Sequence, residues 1–213
     1  MVMMRFLIKK IIKQMLFLLR KNDDFREYHH FPFDTNKPLP PNADNVMRLC
    51  CELLESLAIK YRLTDGTILG LYRQGSFIPH DTDIDVDVLD FYNIEKLHTS
   101  MKKQSMKLGR KAIYKKKVQQ LVYYSNDNVI FDIVFWYSEE GDMICNYSER
   151  GYKRVQNRKY FENLSTIGFN GKKYPMPCHI EEWLEMRYGK DWRTPKSFKN
   201  DWKAECGDLV KMR

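Results

Sequence analysis

Apolar residues in this chain recur with two different periods. Val46, Leu49, Cys50, Leu53 and Leu57 fall at helical spacing and predict a helix over residues 43–60, with Asn42 or Asp44 as its cap. Between residues 82 and 89 the period drops to two. Ile84, Val86 and Val88 alternate with Asp83, Asp85 and Asp87, and the acidic series extends back to Asp81. A strand with this pattern sends its carboxylates to one face and its aliphatic side chains to the other. Two further strand-like runs, 118–125 and 129–137, flank Asn126–Asp127–Asn128 and predict a hairpin. A second hairpin is predicted to turn at Asn170–Gly171, followed by a short helix over 179–188. Residues 93–111 read as another helix, and 63–77 as a segment punctuated by Gly66, Gly70 and Gly75. The economical architecture is α+β, a mixed sheet with flanking helices.

The first 22 residues carry a different pattern. At 100° per residue, Met4, Leu7, Ile8, Ile11, Met15, Leu18 and Leu19 share one face, and Arg5, Lys9, Lys13 and Arg20 the opposite one. Charges interrupt this segment too often for a membrane span, which needs about 20 apolar residues. No small-residue cleavage site follows it. It suits a basic amphipathic helix lying on an anionic membrane surface, or equally a helix packed on its own domain or on a partner subunit. Residues 23–42, with four prolines between 31 and 42, read as a linker to a domain over 43–213. The 213 residues are 43% hydrophobic and 14% aromatic, enough for a packed core, and a net charge of +8 favours anionic partners. Five cysteines without a CxxC pair argue against zinc and against a disulfide framework. A reducing compartment and the absence of an export signal imply a cytoplasmic setting, peripheral to the inner membrane face if the first helix binds there.

The acidic row carries the chemistry. Like charges this close repel unless a cation sits among them or some stay protonated. Alternate strand residues are about 6.6 Å apart, so two neighbours can share an ion and four cannot. The alternation centres the pair on Asp83 and Asp85, leaves Asp81 near the turn after Pro79, and allows Asp87 to pair with a basic residue. Asp132, the lone charge in VIFDIVFW, is the candidate third ligand, since an ionised carboxylate in an apolar strand needs a partner. The competing reading is a strand-end aspartate paired with a lysine. Hard oxygen donors suit Mg²⁺ or Mn²⁺. Gly66 and Thr67 precede this row and are candidates to approach a phosphate through backbone N–H groups and a hydroxyl. Arg73 is a candidate bidentate phosphate ligand or a surface salt bridge. His80 is a candidate contact to a substrate phosphate or a partner of Asp81 or Asp83. A run of eight cations from Lys102 to Lys117 reads as a solvated face, a membrane contact or an attractor of an anionic glycan. The stretch from Arg150 to Phe161 mixes cations with Tyr152, Tyr160 and Phe161. There Arg154 and Arg158 suit a cytidine, a diphosphate or a sugar, and single-stranded RNA equally well.

Three separated motifs resemble those of the LicD/fukutin family: DGTILGLYRQGSFIPHDTDIDVDV, the later FDIVFW, and the closing PCHIEEWLEMRYGKDWRTP. The similarity spans about residues 44–195. It implies a nucleotidyltransferase fold of the DNA polymerase β type. It also implies transfer of a phospho-alcohol (phosphocholine, ribitol phosphate or glycerol phosphate) from a CDP-linked donor to a glycan or glycolipid hydroxyl, releasing CMP. Carried over by position, Gly66 and Thr67 match the phosphate-contacting pair, Asp83 and Asp85 the metal pair, and Asp132 the third acid. The chain departs from larger members in lacking their stem domain and zinc-binding cysteines. Two alternatives stand beside this reading: a nucleotidyltransferase acting on RNA or a small hydroxyl acceptor, and a non-catalytic membrane-associated scaffold. Nucleic acid is not the expected partner.

Overall fold

The computed structural model describes residues 24–196, 203 and 206–212, so the amphipathic segment expected over 1–22 lies outside the described residues. In chain order the elements are β1 (Phe25–His29), α1 (Ala43–Ser56), β2 (Tyr61–Leu63), α2 (Asp65–Gln74), β3 (Asp83–Leu89), α3 (Ile94–Lys103), β4 (Lys107–Tyr114) and β5 (Lys117–Tyr124). They continue with β6 (Ile130–Ser138), β7 (Met143–Asn146), β8 (Tyr152–Asn157), a 3-10 turn at Arg158–Phe161, β9 (Ser165–Phe169), β10 (Lys172–Met176), α4 (Ile180–Tyr188) and β11 (Leu209–Lys211). Nine strands join in one sheet, ordered β1-β4-β5-β6-β7-β8-β11, with β3 also paired to β6 and β2 to β3. β9 and β10 form a separate hairpin. The architecture is thus the expected α+β mixed sheet with flanking helices.

β6 is the spine. Eight of its nine residues are buried, as an apolar strand covered on both faces requires. It pairs antiparallel with β5 and parallel with β3. Ile84, Val86 and Val88 of β3 and Phe131, Ile133 and Phe135 of β6 are fully buried in one core cluster. Met47, Cys51 and Leu54 of α1, Ile68 of α2, and Leu97 and Met101 of α3 join them there. The alternate residues of the same strands, including Asp83, Asp85 and Asp132, therefore project from the other face.

Both predicted hairpins form, β5–β6 and β9–β10, and α4 falls where a short helix was expected. Four expectations change. Residues 93–111 are not one helix: α3 stops at Lys103, Ser105 takes φ +61°, and β4 begins at Lys107. Lys, Met and Arg are good helix formers, but propensity is a weak constraint beside tertiary pairing, and pairing of β4 with both β1 and β5 overrides it. The run of cations is accordingly divided between α3, β4, the β4–β5 turn and the first residue of β5. Residues 23–42 do not behave as a free linker, because β1 pairs with β4 and the Leu39 N–H donates to the Asp81 carbonyl. The glycine-punctuated segment, to which no element was assigned, forms helix α2 over Asp65–Gln74. Finally, α1 ends at Ser56, and Asn42 makes no side-chain cap; its amide donates to Asp127 instead. No helix among the described residues is long and apolar enough to cross a membrane.

Candidate active site

The parallel register sets Asp85 directly beside Asp132. Asp83 sits two residues before Asp85 on the same face, and one oxygen from each of the three carboxylates lies within 4.8 Å of the others. Helix α2 fixes the backbone here. The Asp85 N–H donates to Thr67 Oγ1 at 2.8 Å, and the Thr64 N–H donates to the Asp85 carbonyl. Asp87, the last of the row, is diverted from the cluster. Arg62 Nη2 and Nε donate to its Oδ2 at 2.8 and 3.1 Å, and both side chains are fully buried.

Burial and crowding act on the three carboxylates in the same direction. Burial, then the nearby Asp65, raises Asp83 to about 6. Burial, then Asp83, raises Asp132 to about 8, against the opposing pull of Arg110. Asp85 is raised by burial and by Asp83, Asp65, Asp81 and Asp132 together. Asp132 Oδ1 is buried and has no hydrogen-bond partner among the described residues, while its Oδ2 accepts from Gln120. Hard oxygen donors, mutual repulsion and a buried, orphaned oxygen on Asp132 fit a divalent cation. Asp83, Asp85 and Asp132 therefore form a candidate divalent-metal site.

A cavity of about 380 Å³ opens over these carboxylates. Arg110, Gln120, Arg154, Arg187 and Tyr188 are among the residues that line it. Arg154 donates to both oxygens of Asp65 at 2.8 and 3.0 Å and to Asp208, and Arg187 Nε donates to Asp65 at 2.7 Å. Burial alone would raise the Asp65 carboxyl, but the two guanidinium groups hold it well below the usual carboxylate range. Each described arginine around the cavity is thus already engaged by a carboxylate or a carbonyl, so the charge of the acidic triad is left for a bound cation to offset.

Of the residues singled out in the sequence, Asp83, Asp85, Asp132, Gly66 and Arg154 come together at this cavity. Gly66 has a packing role: an added Cβ would sit 2.4 Å from Asp81 Oδ2. Thr67 is fully buried beneath the site, and its hydroxyl is occupied by the Asp85 N–H. Arg73, His80 and Arg158 do not line the cavity. Arg73 donates to the Trp192 carbonyl, His80 is exposed in the turn before β3, and Arg158 bonds Ser138 beside Asp90. Sequence reasoning missed Asp65, Arg110, Gln120, Arg187 and Tyr188. Gln120 was within reach, because the predicted hairpin places it near Asp132 with a parity of two; Arg187 gives no local signal.

The family model described as LicD/FKTN/FKRP, nucleotidyltransferase domain, matches residues 58–179, which include the triad, Asp65, Gln120 and Arg154. The human protein named ribitol-5-phosphate transferase FKTN is 28% identical over 166 residues, covering 76% of this chain and 35% of the relative. Mouse ribitol 5-phosphate transferase FKRP is 26% identical over 144 residues, covering 64% of this chain and 29% of the relative. The chain therefore spans about a third of the length of the curated relatives it matches. Among solved structures, the lincomycin-bound lincosamide adenylyltransferase LnuA aligns with TM-score 0.48 and 15% identity, over 70% of this chain and 86% of that one. A nucleotidyltransferase-like antigen of Paracoccidioides brasiliensis aligns with TM-score 0.41 and 14% identity, over 73% and 72%. With more than half of its length matched by the family model, and the three motifs in order along it, this chain belongs to the LicD/FKTN/FKRP family and carries its nucleotidyltransferase domain.

Proposed function

We propose that the protein is a Mg²⁺-dependent phosphotransferase that moves a phospho-alcohol from a CDP-linked donor to a glycan hydroxyl and releases CMP. The observation that carries this reading is the convergence of Asp83, Asp85 and Asp132. These residues would hold Mg²⁺ or Mn²⁺. Bound there, the ion supplies charge neutralisation to a diphosphate. The chain's own groups do the rest by placement. Arg154 and Arg187, locked by Asp65 and Asp208, give the cavity a rigid wall against which the diphosphate would rest. Asp132, close to the other two acids, orients the acceptor hydroxyl and takes its proton. The hydroxyl oxygen forms a bond to the phosphorus that carries the alcohol. The bond between that phosphorus and the bridging oxygen breaks, and CMP leaves with the bridging oxygen and the electron pair. Positioning and charge account for most of the acceleration, since phosphoryl transfer asks little covalent chemistry of the protein.

The test is a screen of CDP-ribitol, CDP-choline and CDP-glycerol for CMP release with Mg²⁺, beside a panel of nucleoside triphosphates offered with RNA or small alcohols. CMP release from one CDP-alcohol, lost in Asp83→Asn, is the expected result. Turnover of nucleoside triphosphates alone, or an Asp83→Asn protein that releases CMP at the wild-type rate, would overturn the reading.

A further inference from the structure

Asp132 has two oxygens, and the fold treats them differently. Oδ1 is buried without a hydrogen-bond partner, and Oδ2 accepts a short hydrogen bond, 2.5 Å, from Gln120 Nε2. The Gln120 amide is itself oriented by Arg110, whose Nη1 donates to Gln120 Oε1 at 2.6 Å. That orientation is forced by chemistry: a guanidinium can only donate and an ionised carboxylate can only accept, so the amide turns its oxygen to one and its nitrogen to the other. Arg110 is fixed in turn. Its Nε donates to Glu27 on β1, and its Nη2 to the Ser148 carbonyl beyond β7. A continuous line of donors and acceptors therefore runs across four strands, from Glu27 through Arg110 and Gln120 to Asp132. The strand that anchors it, β1, lies outside the residues matched by the family model.

We infer that Gln120 is a positioning residue for the cation site: held by Arg110, it occupies one oxygen of Asp132 and presents the other, so that Asp132 serves as a one-oxygen ligand. This inference rests on the reading of the three carboxylates as a cation site. Partners of this kind orient metal ligands in general, and their loss typically weakens metal binding about 10–100-fold.

Arg110 supplies a test of sign. As a simple nearby cation it would repel a metal ion, and its removal would tighten binding. As the support of Gln120 its removal loosens Asp132 and weakens binding.

The experiment is calorimetric titration of the full chain with Mn²⁺, using the near-isosteric Gln120→Met, Arg110→Met, and Gln119→Met as a control on the same strand that does not touch the triad. The expected result is affinity weakened about tenfold or more in the first two and unchanged in the control. Glu27→Gln, at the half-exposed outer end of the line, keeps the test open if a buried change unfolds the protein; it should weaken binding in the same direction by less. Wild-type affinity in Gln120→Met, or tighter binding in Arg110→Met, overturns the inference while leaving the cation reading intact. A wild-type protein that binds no Mn²⁺ removes the cation reading and this inference with it.

Discussion

Replacing Arg62 by Met should destabilise the protein by about 3–5 kcal/mol, the usual cost of removing one partner from a buried ion pair. Arg62 and Asp87 are both inaccessible to solvent. Arg62 makes four hydrogen bonds, two to Asp87 Oδ2, one to Gln156 Oε1 and one to the Tyr160 carbonyl, and its guanidinium lies 4.0 Å from the Phe161 ring. Met replaces the stem and the ring contact but leaves the Asp87 carboxylate and the Tyr160 carbonyl without their donor, while Gln156 Oε1 keeps only Trp183 Nε1. Desolvation of Asp87 therefore dominates the loss, and lost packing is secondary. In a domain of this size each kcal/mol moves the Tm by about 2–4 °C, so the midpoint should fall by about 6–20 °C. Urea unfolding followed by circular dichroism measures the difference. The double variant Arg62→Met/Asp87→Leu, which removes both charges, should recover more than half of it, because well-packed apolar replacements of buried pairs are commonly near neutral. Breaking the exposed Arg48–Glu52 pair with Arg48→Met gives the scale for a surface contact, about 0.5 kcal/mol or less. An Arg62→Met protein within about 1 kcal/mol of the wild type, on the scale of such a surface pair, would refute the reasoning.

Two further outcomes can be checked directly. Asp83 is raised to about 6 and Asp132 to about 8 from the ordinary 3.8, by burial first and neighbouring carboxylates second. The folded protein therefore holds protons that the unfolded chain has already released. Their contribution to stability is full below about pH 4 and is lost as pH rises through 6 and then 8. Thermal scans in EDTA should show this decline, Mg²⁺ should raise the Tm more at pH 8 than at pH 5, and a metal-independent, pH-flat Tm would contradict it. For the basic amphipathic segment, deletion of residues 1–22 should abolish sedimentation with anionic liposomes; unchanged sedimentation would remove the membrane-anchor proposal.

The acidic face was legible because burial of a strand imposes a period of two, and Asp83–Ile84–Asp85–Val86 admits no other regular reading. The two hairpins were legible because Asn126–Asp127–Asn128 and Asn170–Gly171 interrupt apolar runs with residues that accept positive φ, which Asn128, Asn170 and Gly171 adopt. The partnership of Asp85 with Asp132 could be argued from the cost of a lone carboxylate in an apolar strand. The α3–β4 boundary was not legible, since the strand identity of residues 107–114 depends on β1, far away in sequence. Helix α2 was obscured by its glycines, which serve close packing rather than a loop. A Cβ on Gly70 would meet the Ser76 carbonyl at 2.7 Å, as one on Gly66 would meet Asp81. Arg187 reaches Asp65 across 122 residues of sequence, and nothing near it in the chain announces that.

The side-by-side pairing of β3 with β6 also guards the alignment of the sheet. Sliding β3 by a single residue would drive Asp83, Asp85 and Asp87 into the aliphatic layer beneath the helices and turn Ile84, Val86 and Val88 to the polar face. Each misplaced carboxylate would carry a desolvation penalty of several kcal/mol, so the neighbouring alignments are closed to the chain. The acids that crowd together at the cavity thereby act as a ratchet on strand placement, and that service continues whether or not an ion is bound.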